Sequence, residues 1–581
     1  MSEMSDADRI WLRHYPEWTP PHLDYGDTTL VDLYRDAVRT WPDRPMLTFF
    51  GRSRTFAEVD AQVRHAAGVL RSLGVGQGDR VALVMPNCPQ HVVAYLAVLN
   101  LGATVVEHNP LYTARELRGP FADHGAKIAI CWDKTAPVLD EVARTTPLET
   151  ILPINMIDDM PWALRTALRL PFGKLKATRA ELGSPDPRTR PGVFAGDADP
   201  AKTPPMPEPD RPVAADDVAV IMYTSGTTGA PKGAQLTHGN LVANVMQGKA
   251  WVPGLGEQRE IALAVLPMFH AYGLTIVTNV SVYVGAELVL VPAAKMDLIM
   301  KVMKRNRPTW VPGVPTLYEK IIEEAESRGD SLEGIRFAFC GASTLPVRTV
   351  DKWERLTGGK LVEGYGLTET SPIIVGNTMD GNRRPGYVGV PFPDTDVKIV
   401  DPEDPARELP HGEEGEIVVT GPQVFAGYLN LPEETAASFT PDGFYRTGDV
   451  GVMEPDGFIR LVARIKEVII TGGFNVYPAE VEEVLTDHPG IVDAAVVGLP
   501  LADGSELVVA AITIGDYARL DTSEYRNHCR DNLTRYKVPK AYFHLDELPR
   551  DQMGKVRRRD VRDVLVERLA AEGKTADDLR R

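Results

Sequence analysis

The sequence predicts an α/β protein: a large N-terminal body of several subdomains carrying parallel sheets, followed by a small α+β domain. Three observations lead there. A chain of 581 residues is too long for one core at roughly 100–200 residues per domain. Short apolar strands alternate with segments of helical period, the pattern of βαβ units. Beyond Arg464 the character of the chain changes, and its strands and helices read as a compact α+β domain of their own.

The elements follow in order. Asp60–Leu73 places Val63, Ala66, Ala67 and Leu70 at helical spacing. Arg80–Met85 is a short buried strand ending at Pro86-Asn87, then a helix around His91–Leu101 and an apolar strand, Ala103–Val106. Further strands are expected at Lys127–Cys131, Val218–Met222, Glu260–Leu266, Glu287–Val291, Thr309–Val311, Arg336–Phe339 and Lys360–Glu363. In the last part, Val468–Thr471, Val492–Val497 and Leu507–Ile514 read as strands, and Pro478–Thr486 and Thr522–Asn532 as helices.

One stretch, about 160–212, interrupts the alternation. From Met160 to Ala180 it has no acid but holds Arg165, Arg169, Lys174, Lys176 and Arg179. Pro161 suits a first helical position, with Asp158 or Asp159 as its cap. The helix either lies on an anionic membrane surface or is an ordinary surface helix with solvated arginines. Ser184–Pro212, rich in Pro, Asp and Ala, reads as an exposed loop or linker.

Charge and composition exclude whole classes. Against 80 Asp and Glu the chain has 63 Lys and Arg, a formal charge of −17 that repels nucleic acid. Cys88, Cys131, Cys340 and Cys529 lack zinc spacing and read as inert buried thiols in a reducing cytoplasm. No apolar run suffices to span a membrane, and the first residues carry no secretory pattern.

The densest chemical signal is the loop after Val218–Met222. Thr224, Ser225, Thr227 and Thr228 stand among Gly226, Gly229 and Gly233, with Lys232 close behind. Glycines let backbone N–H groups converge on an anion, hydroxyls add donors, and lysine adds a point charge. Pro231 and Gly233 flank Lys232 where a P-loop has Gly and Ser or Thr, so this is a phosphate cradle of another kind.

This loop resembles the phosphate-binding motif of the adenylate-forming superfamily, which includes acyl-CoA synthetases, luciferases and peptide-synthetase adenylation domains. Further matches follow in that family's order: Tyr365-Gly-Leu-Thr-Glu369, Tyr445-Arg-Thr-Gly-Asp449, Arg464-Ile-Lys-Glu467 with Gly472-Gly473, and Leu548–Lys555. Asn109–Leu117 and Glu363–Pro372 look most like the long-chain fatty acid–CoA ligases.

The resemblance implies ATP, Mg²⁺ and coenzyme A as reactants, a fatty acid as substrate, and a cytoplasmic enzyme with peripheral contact at the inner face of the membrane. It implies Glu369 as the Mg²⁺ ligand, Thr368 as a donor to the α-phosphate, and Gly364, Tyr365 and Gly366 beside adenine. Gly341, Ala342 and Ser343 would line the adenine pocket, and Asp449 would take the ribose diol from a Thr-Gly-Asp turn, with Arg464 as a second contact. His270, ending the strand-like run Ala264–His270, would border the acyl and α-phosphate site. The body would be 1–463 and the mobile domain 467–581, joined by a hinge, 464–466, centred on Lys466. Lys555 would serve acyl-AMP formation, and Gly473 would leave room for the thiol. Two departures stand out: Leu274 occupies the position of an aromatic gate found in some long-chain enzymes, and Ala463 replaces the usual Gly or Asp.

Three activities remain open on the sequence: an acyl-CoA synthetase, an acyl-AMP ligase that loads a carrier protein, and a catalytically silent homologue. Gly472-Gly473 favours a thiol channel, and intact Lys232, Glu369, Asp449 and Lys555 argue against a silent protein. Medium-chain, long-chain, dicarboxylic and aryl acids all remain open as substrates.

Overall fold

A computed structural model describes residues 5–184, 186–189, 192–194, 198–224, 231–341, 345–464, 467–471, 474–501, 506–515, 522–551 and 554–580. The chain divides into two compact units, the first containing 5–396 and 419–445 and the second 397–418 and 446–580.

Among the described residues the first unit holds a seven-stranded sheet and a second assembly of two four-stranded sheets. The seven-stranded sheet runs, in spatial order, Gly427–Tyr428, Lys232–Thr237, Val218–Thr224, Thr104–Glu107, Arg80–Val84, Ile128–Trp132 and Thr150–Ile154. From Val218–Thr224 onward its strands are parallel, while Lys232–Thr237 returns antiparallel. The helix Pro89–Asn100 beside it is buried all round, which explains its near-continuous apolar sequence. In the second assembly one sheet runs Arg52–Thr55, Pro45–Phe49, Glu287–Leu290 and Ile261–Ala264. Trp310 bridges it to Phe337–Cys340, Lys360–Gly366, Ile373–Gly376 and Val390–Pro391. The expected strand Thr309–Val311 is thus a single bridging residue. Helices start where the sequence offers reciprocal caps: Thr55 with Glu58, Thr113 with Glu116, and Thr237 with Asn240.

The second unit combines a four-stranded sheet, Asp396–Val400, Glu414–Thr420, Tyr445–Met453 and Ile459–Arg464, with a three-stranded one, Ile491–Pro500, Glu506–Ile514 and Ala541–His544. Strand alternation gives the three-stranded sheet two apolar faces. Ala494, Val496, Val508, Ala510 and Ile512 share one core with residues of the helices Pro478–Thr486 and Thr522–Asn532. Ala495, Val497, Leu499, Leu507, Val509 and Ala511 share the other with Val561, Leu565 and Leu569 of the helix Arg558–Ala571. Helices on both faces make the sheet core rather than surface.

All four cysteines are buried, and burial pushes the Cys88 and Cys131 thiols up to about 12, which keeps them inert at neutral pH. No helix among the described residues is long and apolar enough to cross a membrane.

The stretch from 160 needs two corrections. Pro161 is the residue before the helix Trp162–Leu168, not its first residue, and no side chain caps that helix. Asp159 instead is fully buried and pairs with Arg54, with Arg52 at 3.7 Å, because an enclosed carboxylate needs cations more than a helix end needs a cap. Of the two readings of the Pro-rich segment that follows, the exposed loop holds over 198–212, and it is tied to the helix Phe56–Ser72. Arg64 donates to the carbonyls of Thr203 at 2.8 Å, Pro204 at 3.0 Å and Pro200 at 3.2 Å.

Candidate active site

Val218–Thr224 ends at the edge of the run expected to hold phosphate, on the side of the parallel strands where ligands of open α/β sheets bind. Thr224 and Lys232 face each other as the last pair of the antiparallel ladder. Ser225, Gly226, Thr227, Thr228 and Gly229 lie outside the described residues. The ammonium of Lys232 pairs with the Glu434 carboxylate and sits 5.1 Å from the ring centre of Tyr428.

Tyr428 links this lysine to Glu369. Its hydroxyl donates to Glu369 Oε1 at 2.9 Å, and the Phe425 N–H donates to the Glu369 carbonyl, also at 2.9 Å. Glu369 is buried, at 7% exposure, in the short 3-10 turn Thr368–Thr370. Thr368 beside it is half-buried. Burial, then the negative charge of Glu369, push the Tyr428 phenol well up; the same two causes raise Tyr445, whose hydroxyl lies 3.4 Å from that of Tyr428. Both phenols therefore stay protonated, and Tyr428 remains a donor to the carboxylate.

The strand Lys360–Gly366 delivers this turn. Tyr365 is buried on it opposite Val375, and Gly364 leaves space for the Phe339 ring, which a Cβ would approach to 2.3 Å. A Cβ on Gly366 would stand 1.7 Å from the Pro372 carbonyl oxygen, so only glycine lets the chain fold back into the turn that carries Glu369. A single buried carboxylate fits Mg²⁺, which takes most of its ligands from phosphates and water. No group of three or more His, Cys, Asp or Glu side chains that could cage a metal occurs among the described residues.

Gly341 follows the strand Phe337–Cys340, and its N–H donates to the Gly313 carbonyl at 3.2 Å. A Cβ there would come within 3.1 Å of the Tyr272 ring. Ala342 and Ser343 lie outside the described residues. His270 does not end a strand: the strand stops at Ala264, before Pro267, whose carbonyl accepts the His270 N–H at 3.1 Å. The histidine is exposed, just ahead of a π-helical segment, Gly273–Asn279. Leu274, at the position of the aromatic gate, is fully buried in that segment, and the Tyr272 hydroxyl is bound to the Phe339 carbonyl.

The second unit presents its own set. Asp449 lies within the strand Tyr445–Met453, not in a turn, directly opposite Arg464 in the antiparallel ladder. Asp449 is buried, and the Thr447 hydroxyl accepts its N–H at 3.1 Å. The buried Glu416 carboxylate organises the run before it, accepting from Arg446 at 2.6 and 2.9 Å and from the Gly448 N–H at 3.1 Å. Lys555 is half-buried in a tight hairpin. Asp551 accepts the Lys555 N–H on its side chain at 2.9 Å and donates its own N–H to the Lys555 carbonyl at 2.8 Å. Arg558, just beyond, pairs with Glu467 at 2.5 Å and Glu482 at 2.6 Å, tying the start of the helix Arg558–Ala571 to the residue after the expected hinge. Lys466 and Gly473 lie outside the described residues.

Within the first unit, Lys232 and Glu369 are thus brought together through a residue that the sequence reading missed, Tyr428, with Glu434 as a further partner. The available signal was slight: a Gly-Tyr pair just before Pro432-Glu-Glu434, with no periodicity of its own.

Comparison with known proteins supports the same assignment. Residues 34–429 match the family described as AMP-binding enzyme, and 480–555 match the AMP-binding enzyme C-terminal domain. The chain is 38% identical, over 557 residues covering 95% of it and 97% of the relative, to a long-chain-fatty-acid–CoA ligase of Bacillus subtilis (strain 168). It is 34% identical to a feruloyl-CoA synthase of Amycolatopsis sp, over 90% of this chain and 96% of that one. Among solved structures it is similar to ATP-bound MatB from Rhodopseudomonas palustris, with a TM-score of 0.75 and 30% identity over 92% of this chain and 99% of that one. The order of motifs, the folds of the two units and likeness along nearly the whole length agree, and the chain belongs to the AMP-binding enzymes, the adenylate-forming acyl-CoA synthetases.

Proposed function

We propose that this chain activates a medium- or long-chain fatty acid and transfers it to coenzyme A. The observation that carries the reading is the Lys232–Tyr428–Glu369 cluster at the end of the parallel strands. In the first half-reaction a carboxylate oxygen attacks the α-phosphorus of ATP and pyrophosphate leaves, giving acyl-AMP. In the second the thiol sulfur of CoA attacks the acyl carbon, loses its proton, and AMP leaves.

The roles follow from where charge develops. Negative charge builds on phosphate oxygens, so cations and oriented donors lower the barrier more than a protein nucleophile would. Lys232 and the loop Thr224–Gly229 hold phosphates, and Thr368 donates to the α-phosphate. Glu369 holds Mg²⁺, which when bound neutralises phosphate charge. Tyr428 orients the Glu369 carboxylate. Gly341 to Ser343 and Gly364 to Gly366 line the adenine, Asp449 and Arg464 take the ribose, and His270 borders the acyl site. Lys555 acts in adenylation, Gly473 in thioester formation, and the segment 464–466 about Lys466 changes conformation between them, with 1–463 as the body and 467–581 as the mobile domain. Long-chain specificity draws support from the Bacillus relative. The enzyme works in the cytoplasm and meets the inner face of the membrane peripherally.

The feruloyl-CoA synthase likeness favours a second reading, an aryl acid as substrate. A thioester assay with ATP, Mg²⁺, CoA and a panel of aliphatic acids of increasing length plus hydroxycinnamic acids separates the two. The first reading expects activity to peak on aliphatic acids with AMP and pyrophosphate released. Release of ADP, or best activity on acetate or an aryl acid, overturns it.

A further inference from the structure

We infer that Asn244 and Asn240, on the helix His238–Trp251, are positioning residues for the metal site: they fix the turn that carries Glu369 relative to the strand that carries Lys232. The inference rests on the reading of Glu369 as the Mg²⁺ ligand and adds what holds that carboxylate in place.

Asn244 is fully buried, and its amide is used at every position. The oxygen accepts the Ile373 N–H at 3.1 Å, and the amino group donates to the Ile373 carbonyl at 2.7 Å and to Gln247 Oε1 at 3.0 Å. A donor and an acceptor from one backbone residue settle which end of the amide is which. Ile373 opens the strand Ile373–Gly376, opposite Gly366 and just after the Glu369 turn. The stretch between is short and tied to itself. The Thr370 hydroxyl donates to the Pro372 carbonyl at 2.8 Å and accepts the Leu367 N–H at 3.0 Å. Fixing Ile373 therefore fixes the exit of the turn.

One helical turn earlier, Asn240 holds the other side. Its amino group donates to the carbonyls of Pro422 and Val424, both at 2.8 Å, and its oxygen accepts the Thr237 N–H at 3.0 Å in the helix cap. The next residue, Phe425, gives its N–H to the Glu369 carbonyl at 2.9 Å. Residues four apart share a helix face. One face of one helix thus grips the turn at its exit and grips the segment that holds the turn's carbonyl. The same helix follows directly on the strand Lys232–Thr237, which pairs with Gly427–Tyr428. Lys232, Tyr428 and Glu369 are all located by this one strand–helix unit.

Stability alone does not call for the arrangement. A buried amide with every group bonded gains little over an apolar side chain of similar size, but it admits a single geometry. A metal-binding carboxylate needs that: groups that orient a ligand from behind set the affinity of the site.

The test measures Mn²⁺, standing in for Mg²⁺ and read by electron paramagnetic resonance, bound to the whole chain with a non-hydrolysable ATP analogue. The two half-reactions and urea unfolding are followed alongside. Asn244→Leu keeps the bulk and removes the bonds to Ile373. It should weaken Mn²⁺ binding by about tenfold and raise the Mg²⁺ needed for acyl-AMP formation to match. Conversion of supplied acyl-AMP to thioester, a step with no triphosphate for the metal to hold, should stay near wild type. Glu369→Gln is the reference for loss of the ligand itself. Trp251→Phe is the stability control on the same helix: the ring, 4.3 Å from that of Phe392, stays, and only the 2.8 Å bond to the Asn377 carbonyl, past the far end of the strand, is lost. It should lower the urea midpoint and leave Mn²⁺ binding unchanged. Asn240→Asp, at a half-buried position, keeps the capping oxygen and removes both donors. It should weaken Mn²⁺ binding in the same direction, and it decides the matter if Asn244→Leu does not fold.

Unchanged Mn²⁺ binding in folded Asn244→Leu, or in Asn240→Asp where Asn244→Leu does not fold, overturns the inference alone, provided that Glu369→Gln loses the metal. Equal loss in Trp251→Phe, or both half-reactions falling together with stability, makes Asn244 a purely structural residue and overturns it as well. Unchanged Mn²⁺ binding in Glu369→Gln overturns the metal reading, and the inference falls with it.

Discussion

The Tyr428 hydroxyl donates a 2.9 Å hydrogen bond to Oε1 of Glu369, and the ring of the same tyrosine lies 5.1 Å from the Lys232 ammonium. One side chain therefore serves both the carboxylate proposed to hold Mg²⁺ and the lysine proposed to hold phosphate. Tyr428→Phe separates the two roles, because the ring stays and only the donor is lost. A hydrogen bond to a charged group is worth about 1.5 kcal/mol or somewhat more, so adenylation should slow by about tenfold. The expected signature is a raised Mg²⁺ requirement at unchanged folding, read from pyrophosphate release against Mg²⁺ concentration. Unchanged rates at every Mg²⁺ level would remove Tyr428 from the machinery.

Glu369→Ala should cost more. The substitution removes the carboxylate itself, and loss of one such electrostatic element typically costs about 10²–10³ in rate. Thermal unfolding should show the fold intact. Near-normal pyrophosphate release at ordinary Mg²⁺ would refute the role.

Glu434 pairs with Lys232, so a phosphate held by that lysine, as proposed, would compete with the carboxylate. The pair is only partly shielded, with side chains 28% and 54% exposed, and such pairs contribute about 0–1 kcal/mol. Glu434→Gln should accordingly lower the KM for ATP by up to about fivefold, and the gain should shrink at high salt. A KM that rises would mean that Glu434 helps to position Lys232 instead.

The two half-reactions can be tested apart. Lys555→Ala should cripple acyl-AMP formation yet still convert supplied acyl-AMP to acyl-CoA. Gly473→Leu should do the reverse, because a side chain fills the space proposed for the thiol. Lys466→Pro, which fixes φ near −65°, should harm the second step most. Equal slowing of both halves by Lys555→Ala would sink the two-conformation account.

Stability should fall as pH drops below about 6.5 through three buried histidines. Burial holds His108 down to about 3 and His238 to about 4, and holds His124 well below the usual range, so all three are neutral in the fold. The unfolded chain takes up these protons near the ordinary value, so between that value and the depressed ones it binds more protons and is favoured as pH falls. Glu363, raised by burial to about 8, and Asp133, raised to about 6, give the opposite slope over their own windows. The check therefore compares urea midpoints against pH for wild type and His108→Gln: the difference should be greatest near neutrality and shrink toward pH 3. A constant difference would show that His108 is not held neutral by the fold.

Much of this was legible in the chain. The runs by which the family was recognised are short and local, because glycine, hydroxyl and cation must sit within a few residues to converge on one anion; the roles proposed for their residues await the tests above. The strand read at Arg80–Met85 and the helix read at Asp60–Leu73 were legible too, because periodicity is local, although the helix starts a turn earlier, at Phe56, behind a Thr55 cap that the reading did not use. Other features came only from the fold. Asp159 looked like a cap until Arg54 arrived beside it from a distant strand, since a buried charge recruits whatever cation the packing supplies. His270 looked like a strand end, but the ladder stops at Ala264, where pairing partners run out. Tyr428 carries no motif of its own, and its partner Glu369 is 59 residues away; Glu434 and Lys232 are 202 apart. Contacts over such separations depend on strand order and register, and those are set by how the sheets bury their faces, which no local run of residues encodes.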